Sequence, residues 1–520
     1  MTLPAPQPPS RGGARLLLGS VLVVATCGLV YELIAATMAS YLLGDSVTQW
    51  SLVIGVYLSA MGLGSWLSKF VERDLYSRFV GVQLIIAVVG GLSAAALFFG
   101  YALLESVRPL LFSILVIVGT MVGLEIPLLM RVLGDGEQLK DTVARVLAFD
   151  YIGSLLASLL FPLLLLPHLG LVRTSLLFGL LNALVALACA RAFRDRLPRP
   201  RLAQLEALAC CALLGGLLVA GGRLERIAEG ELYDAPVIFS EKTAYQRLTI
   251  TRSGDDLRLF IDGNLQFASS DEYRYHEALV HPALAELTAP RRALVLGGGD
   301  GLAVRELLKY ASLERIDLVD LDPGMTRLFG RDPLLVRLNE GSLFDPRVTV
   351  HNTDAMRWLE DHVRTNSQPY DVAIVDLPDP NNFSLGKLYT RSFYRLLRRA
   401  LAEHGAGVIQ ATSPYLAPRS FWCVVKTLAA AELHPRPYHA HVPSFGDWGF
   451  VLVSPAARPE PRRLADVALR FLDDAVLPGL FVFPKDQQPP DVDINRLNDQ
   501  LLVHYYEEDL RAPPGRGGRG

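Results

Sequence analysis

Seven apolar runs of membrane-spanning length follow one another in the first 222 residues, and no other feature restricts the fold of this chain as strongly. They fall at about 16–43, 47–68, 79–103, 109–130, 143–166, 170–190 and 202–221. A helix needs roughly 20 apolar residues to cross a ~30 Å hydrocarbon core. Within such a core each backbone N–H and C=O must be paired inside its own segment, so runs of this length predict α-helices. The run at 202–221 is the weakest, being short and interrupted by Glu206, and six spans is the alternative count. The first run is too long for a cleaved signal peptide and lacks a small-residue cleavage site at its end.

Basic residues sort between the intervening loops. Arg11, Arg15, Lys69, Arg73, Arg78, Arg131, Lys140, Arg145, Arg191, Arg194, Arg196, Arg199 and Arg201 lie at one set of ends, against only Arg108 and Arg173 at the other. This asymmetry puts the N-terminus in the cytoplasm and predicts a multi-pass protein of the cell membrane, with lipid as a partner. Seven spans put the C-terminal half on the opposite side and six on the same side; the sequence leaves both open. Glu32, Glu125 and Asp150 fall inside or at the edge of spans, where an acid is costly and either functional or bonded to a neighbouring helix. Gly55, Gly62 and Gly64 are expected to permit close helix contact.

After about residue 222 charged residues crowd in, although the mean hydropathy of the whole is +0.29. A net charge of −3 gives no electrostatic footprint for nucleic acid. Five scattered cysteines show no C-x-x-C spacing and read as small buried hydrophobes. The organisation predicted is a helical membrane bundle over 1–222, a connector at 223–237, a β-hairpin and helix subdomain at 238–288, a doubly wound, Rossmann-like α/β domain at 289–455, and an extension with a flexible tail at 456–520. The hairpin rests on two alternating segments, Gln246–Arg252 and Leu257–Gln266, separated by Ser253-Gly254-Asp255-Asp256. From Arg292 strands at 293–296, 315–321, 348–351, 371–376 and 406–411 alternate with helices, which predicts a parallel sheet covered on both faces. Ligands in such sheets bind at the carboxyl ends of the strands, beside the point where the strand order reverses.

The chemistry gathers at those ends. Gly297-Gly298-Gly299-Asp300-Gly301 links a strand to a helix, as nucleotide and methyl-donor sites do. Asp300 in that turn disfavours an anionic group and suits a cationic one. Asp320 ends the second strand, where an acid commonly bonds ribose hydroxyls, with Asp322 as a competitor. Asp354-Ala355 follows the third strand and is placed for an adenine amine. Asp376 and Asp379 end the fourth, two carboxylates able to hold a diamine and to take a proton from it.

The run YHEALVHPAL, the turn GGGDG, the strand ends VDLDPG and YDVAIVDLPDP and the NTDA segment between them resemble spermidine synthase, in order and spacing, over roughly 215 residues. The apolar half resembles the hydrophobic extension on some bacterial members. The resemblance implies Asp376 as the catalytic base. It implies Gln246, Asp320, Asp354 and Ala355 around the thioadenosine, and His276, Asp300, Asp379, Tyr275 and Gln410 around the amine, with Trp448 in the amine channel. The expected reaction moves the aminopropyl group of decarboxylated S-adenosylmethionine, a cosubstrate, to putrescine, giving spermidine and methylthioadenosine. No cofactor or metal is required, and the partners are a small polyamine and, by family habit, a second copy of the chain in a homo-oligomer. Three departures stand out: the family's Glu is Asp320 here, Phe383 stands where a proline usually contacts the nucleoside, and Thr412 and Ser413 follow Gln410 in place of an acid. Two alternatives remain at this stage: an S-adenosylmethionine-dependent methyltransferase, and a non-catalytic polyamine-binding transporter or sensor.

Overall fold

The computed structural model describes residues 11–43, 46–104, 106–133, 139–230 and 233–511. The chain forms two compact units, Met1–Asp234 and Ala235–Gly520. The first is helical: α1 (Arg11–Leu43), α2 (Ser46–Leu67), α3 (Leu75–Leu103), α4 (Arg108–Leu133), α5 (Leu139–Leu160), α6 (Leu166–Ala192) and α7 (Pro200–Gly230). Helix therefore takes up the first part of the segment expected as a connector.

Among the described residues six stretches can, by length and composition, cross a membrane: Leu16–Ser40, Thr48–Phe70, Leu75–Tyr101, Arg108–Leu133, Lys140–Ala192 and Pro200–Ala220. The fifth has 53 residues and joins α5 to α6 through a wider turn at Phe161–Leu165, with a break at Gly170, where φ is 71°. Thr26 bonds the Gly153 carbonyl of α5 and Cys27 that of Phe178 on α6, so the stretch folds back and presents two helices, of 22 and 27 residues, each long enough for a ~30 Å hydrocarbon core. Close helix contact comes from Gly64 and Gly123 between α2 and α4. A Cβ on Gly64 would lie 2.0 Å from the Thr120 carbonyl oxygen, and one on Gly123 2.0 Å from that of Met61. Gly55 and Gly62, expected to act likewise, face open space. Glu125 is buried and accepts a 2.6 Å bond from Gln83 on α3; Glu32 and Asp150 are half-buried.

The second unit opens with β1 (Val237–Lys242), β2 (Arg247–Ser253), β3 (Asp256–Ile261) and β4 (Asn264–Ala268), an antiparallel sheet in that order. The expected hairpin is thus half of a four-stranded sheet. Leu257–Gln266, read as one strand, turns back at Asp262-Gly263, whose φ values of 48° and 84° form a tight turn.

Next come α8 (Glu272–Leu284), β5 (Arg292–Gly297), α9 (Leu302–Leu308), β6 (Arg315–Asp320), α10 (Pro323–Phe329), α11 (Pro333–Leu338), β7 (Val348–Asn352), α12 (Ala355–Arg364) and β8 (Tyr370–Asp376). The chain continues through α13 (Phe383–Gly386), α14 (Arg391–Ala400), β9 (Leu401–Gln410), α15 (Pro418–Ala430), β10 (His434–Val442), β11 (Gly446–Ser454) and α16 (Leu501–Arg511). The large sheet has the order β10-β11-β9-β8-β5-β6-β7. β9 to β7 are parallel, but β10 and β11 join antiparallel at one edge. The all-parallel sheet expected from the βα alternation is therefore a mixed one. Along β5, Ala293 and Val295 pack with α8 and α9, and Leu294 and Leu296 with α12 and α14. This period-two division buries both faces. The order reverses between β5 and β8, whose ends pair Gly297 with Asp376.

The segment after β11 is packed as well. Trp422 on α15 donates to the Gln487 carbonyl, Asn495 bonds Gly386, and Leu502 and Val503 of α16 are buried. Residues 512–520, expected as a tail, lie outside the described residues.

Candidate active site

The glycine turn after β5 is fixed by its neighbours. Gly297 has φ 81°, and a Cβ there would lie 2.0 Å from the Asp376 carbonyl oxygen. No larger residue lets β5 and β8 end side by side. A Cβ on Gly299 would meet Asp320 Oδ2 at 2.6 Å, and the Gly299 N–H instead donates to that oxygen at 3.0 Å. Asp320 Oδ1 accepts from the Asp322 N–H at 2.8 Å. Two backbone donors thus aim a half-buried carboxylate across the β5 and β6 ends. Asp322, the competitor for that position, is buried, with its oxygens taken by Thr243 and the Gly324 N–H at the start of α10. Thr243 also bonds the Gln246 carbonyl, so the β1–β2 turn that carries Gln246 is tied to the end of β6.

Asp354 is the N-cap of α12. Its Oδ1 accepts from the Met356 and Arg357 N–H groups, and its Oδ2 from Lys387 at 2.6 Å. Burial works against ionisation there, but Lys387 and the helix end outweigh it and hold the carboxyl below its usual range. Ala355 begins that helix and is buried. Asp354, expected at the nucleoside, is thus already paired with a lysine that the sequence reading did not single out.

The acids of the other group converge. Tyr275 on α8 donates to Asp376 Oδ1 at 2.6 Å. Asp379 is bonded by three side chains: Tyr506 of α16 at 2.9 Å and Thr412 at 3.3 Å on Oδ2, and Gln410 from the end of β9 at 3.4 Å on Oδ1. Tyr389 donates to the Leu377 and Pro378 carbonyls, holding the loop between the two aspartates, and Gln410 donates to Tyr389 at 2.8 Å. Thr412 takes a φ of 60°, left-handed backbone that a β-branched residue rarely adopts. Its own contacts hold it there, the Gly449 N–H on its carbonyl and Gln410 Oε1 on its N–H. Trp448 packs against Phe445 with the rings tilted and 5.1 Å apart, and Phe445 lies 6.1 Å from the Tyr275 ring.

His276 is buried beside Tyr275, and its Nδ1 is shared with the carbonyl and the carboxylate of Glu272, at 2.9 and 2.8 Å. Glu272 receives both guanidinium nitrogens of Arg305, each at 2.9 Å, and Arg305 also meets Glu306, which His281 and Lys309 complete. A buried carboxylate stripped of such a partner costs about 3–5 kcal/mol, so this chain of ions fixes α8 against α9 only while complete. Burial opposes the imidazolium of His276, yet Glu272 outweighs it and holds the ring at about 9.

Burial raises Asp376 above the ordinary aspartate value, opposed by His276 and Tyr275. It pushes Asp300, Asp320 and Asp379 each up to about 6. An acid raised in the folded state stabilises the fold most below its unfolded value near ~4, and that contribution is lost as pH rises to about 6. At neutral pH these carboxylates therefore weaken the fold, and a bound cation relieves them. Such clusters of perturbed groups mark functional sites. Among the described residues no group of three or more His, Cys, Asp or Glu is arranged to hold a metal ion.

The structure thus brings Tyr275, His276, Asp300, Asp376, Asp379 and Gln410 to one group of strand ends, with Asp320, Gln246, Asp354 and Ala355 along the adjoining β6 and β7 ends. Sequence reasoning missed Glu272, Tyr389, Lys387 and Tyr506. Glu272 is signalled only by its i, i+4 spacing to His276; Tyr506 has no local signal, being 127 residues from its partner.

A family model described as the spermine/spermidine synthase domain matches residues 272–462. Over nearly its whole length the chain is similar to the polyamine aminopropyltransferase 1 of Ralstonia nicotianae, 52% identical and covering 97% of both chains. The polyamine aminopropyltransferase of Leptospira interrogans is 46% identical over 94% of this chain and 97% of its own. Among solved structures, a spermidine synthase in complex with the transition state analogue AdoDATO is 26% identical, with a TM-score of 0.44 over 48% of this chain and 85% of that one.

Proposed function

The chain belongs to the polyamine aminopropyltransferase family, and from that membership we propose that it moves the aminopropyl group of decarboxylated S-adenosylmethionine to putrescine. The observation that carries the reading is the shared electrostatic environment of three carboxylates. Asp300 and Asp376 act on each other and on His276, and Tyr275 feels both Asp376 and Asp379. Such a mouth attracts a diammonium and repels a carboxylate.

The donor is a sulfonium. A neutral amine attacks the carbon beside sulfur, the N–C bond forms as the C–S bond breaks, and the electron pair leaves with sulfur as neutral methylthioadenosine. Asp376, oriented by Tyr275, takes the proton shed by the attacking nitrogen. Asp300 pairs with the ammonium of the donor and Asp379 with the far ammonium of putrescine. Asp320, held by the Gly299 and Asp322 N–H groups, accepts from the ribose hydroxyls, Asp354 with Ala355 frames the adenine, and Gln246 contacts the thioadenosine. Aligning nucleophile and leaving group supplies much of the acceleration. Incubating the full chain with labelled donor and putrescine is expected to give spermidine and methylthioadenosine in equal amounts. A methylated product would overturn the reading.

We also propose that the helical unit is embedded in the cell membrane. Six apolar stretches of spanning length among the described residues and the one-sided distribution of Lys and Arg support this. Alkaline carbonate washing is expected to leave the chain in the membrane pellet, and its release into the supernatant contradicts the proposal.

A further inference from the structure

Asp379 takes one of its bonds from a part of the chain beyond the residues 272–462 that match the synthase domain. Tyr506 lies on α16, and α16 is docked firmly. Asp509 caps the start of α15, accepting from the Arg419 and Ser420 N–H groups at 2.9 and 3.2 Å and from Arg419 Nε at 2.7 Å. Val503 fills the space over Gly386, where a Cβ would lie 2.6 Å from Val503 Cγ2. The Asn495 side chain ties the preceding segment to the Gly386 carbonyl at 3.1 Å. His504, on the same helix, meets the ring of Phe383 at 5.8 Å. The hydroxyl of Tyr506 is thereby delivered to Asp379 Oδ2 at 2.9 Å, beside Thr412 on the same oxygen.

We propose that Tyr506 is a positioning residue for the acceptor: through its bond to Asp379 the C-terminal helix sets the orientation and charge of the carboxylate that receives the distal ammonium of the diamine. The inference rests on the proposed role of Asp379. Physically, a donor to the ionised form of a carboxylate fixes its rotamer and favours its negative charge. Two opposite demands meet at this residue. Burial pushes Asp379 up to about 6, and Tyr506, Gln410 and Thr412 pull it down. The titratable groups facing it are the phenols of Tyr275 on α8, Tyr389 after α13 and Tyr506 on α16. The three phenols are raised well above the ordinary tyrosine value, so they stay neutral donors through the physiological range.

The test is calorimetric binding of putrescine to the full-length chain and to Tyr506→Phe, from pH 5 to 8, with methylthioadenosine binding measured alongside. A lost hydrogen bond to a charged group is expected to weaken putrescine binding about tenfold at pH 7.5. Methylthioadenosine affinity is expected to stay unchanged. The pH at which putrescine affinity fades is also expected to move upward in the variant, because a donor to the ionised form is gone. Asp300 and Asp376 are common to both proteins, so their titration cancels in the comparison. Putrescine affinity and pH profile equal to wild type overturn the inference, as does a parallel loss of methylthioadenosine binding, which marks a general structural role. Binding is read apart from turnover. A wild-type chain that binds putrescine but transfers nothing defeats the transfer reading alone, while one that binds no putrescine defeats both.

Discussion

Asp376→Asn is expected to lower the turnover number by roughly 10³-fold, the middle of the range by which a positioned general base accelerates proton transfer. Asparagine keeps the shape, and its carbonyl oxygen still accepts the 2.6 Å bond from Tyr275. It cannot take a proton from the attacking nitrogen. The raised position of Asp376 suits the task, since a carboxylate disfavoured as an anion is the stronger base once ionised. Methylthioadenosine binding is expected to stay within about threefold of wild type, because Asp320 and Asp354 make their bonds without Asp376. Stopped-flow measurement of product formation beside equilibrium titration of the nucleoside separates the two effects. Turnover within a few-fold of wild type removes Asp376 from the mechanism.

The parts of the site that the sequence made legible are those whose chemistry is local. Gly297–Asp300, Asp320, Asp354 and Asp376 each follow a short apolar strand and precede a helix, so strand end and acid are read together. The double role of Asp354, capping α12 while paired with Lys387, needed the fold, because Lys387 arrives from the turn after α13. The mixed character of the sheet was hidden for a similar reason. β10 begins HPRP, where prolines break the expected strand pattern, and only the pairing of His434–Val442 with Gly446–Ser454 shows that it lies at the edge. The four-stranded sheet was half-read because the Asp262-Gly263 turn sits inside an otherwise continuous alternation. Tyr506 was out of reach altogether. The stretch before its helix is rich in proline and charge, and Asp509, Val503 and Asn495 dock the helix by contacts that no local pattern announces.

The second large effect concerns the donor and follows from charge alone. S-adenosylmethionine differs from its decarboxylated form by one carboxylate on the chain that Asp300 receives. Two like charges about 6 Å apart, at an effective dielectric near 20, repel by roughly 2.8 kcal/mol. That corresponds to about a 100-fold difference in affinity. The ring of acids was built into the fold against its own stability, since Asp300 and Asp379 are both held up to about 6 by burial. Neutralising them removes the discrimination, so the preference is expected to shrink as pH falls below about 6.

Side-by-side calorimetric titration of the full-length chain with the two sulfonium compounds at pH 7.5 addresses this most directly. Binding of the decarboxylated donor tighter by about 100-fold is the outcome expected of a site that selects cations by its carboxylates. Equal affinities, or a preference for the donor that keeps its carboxylate, contradict it.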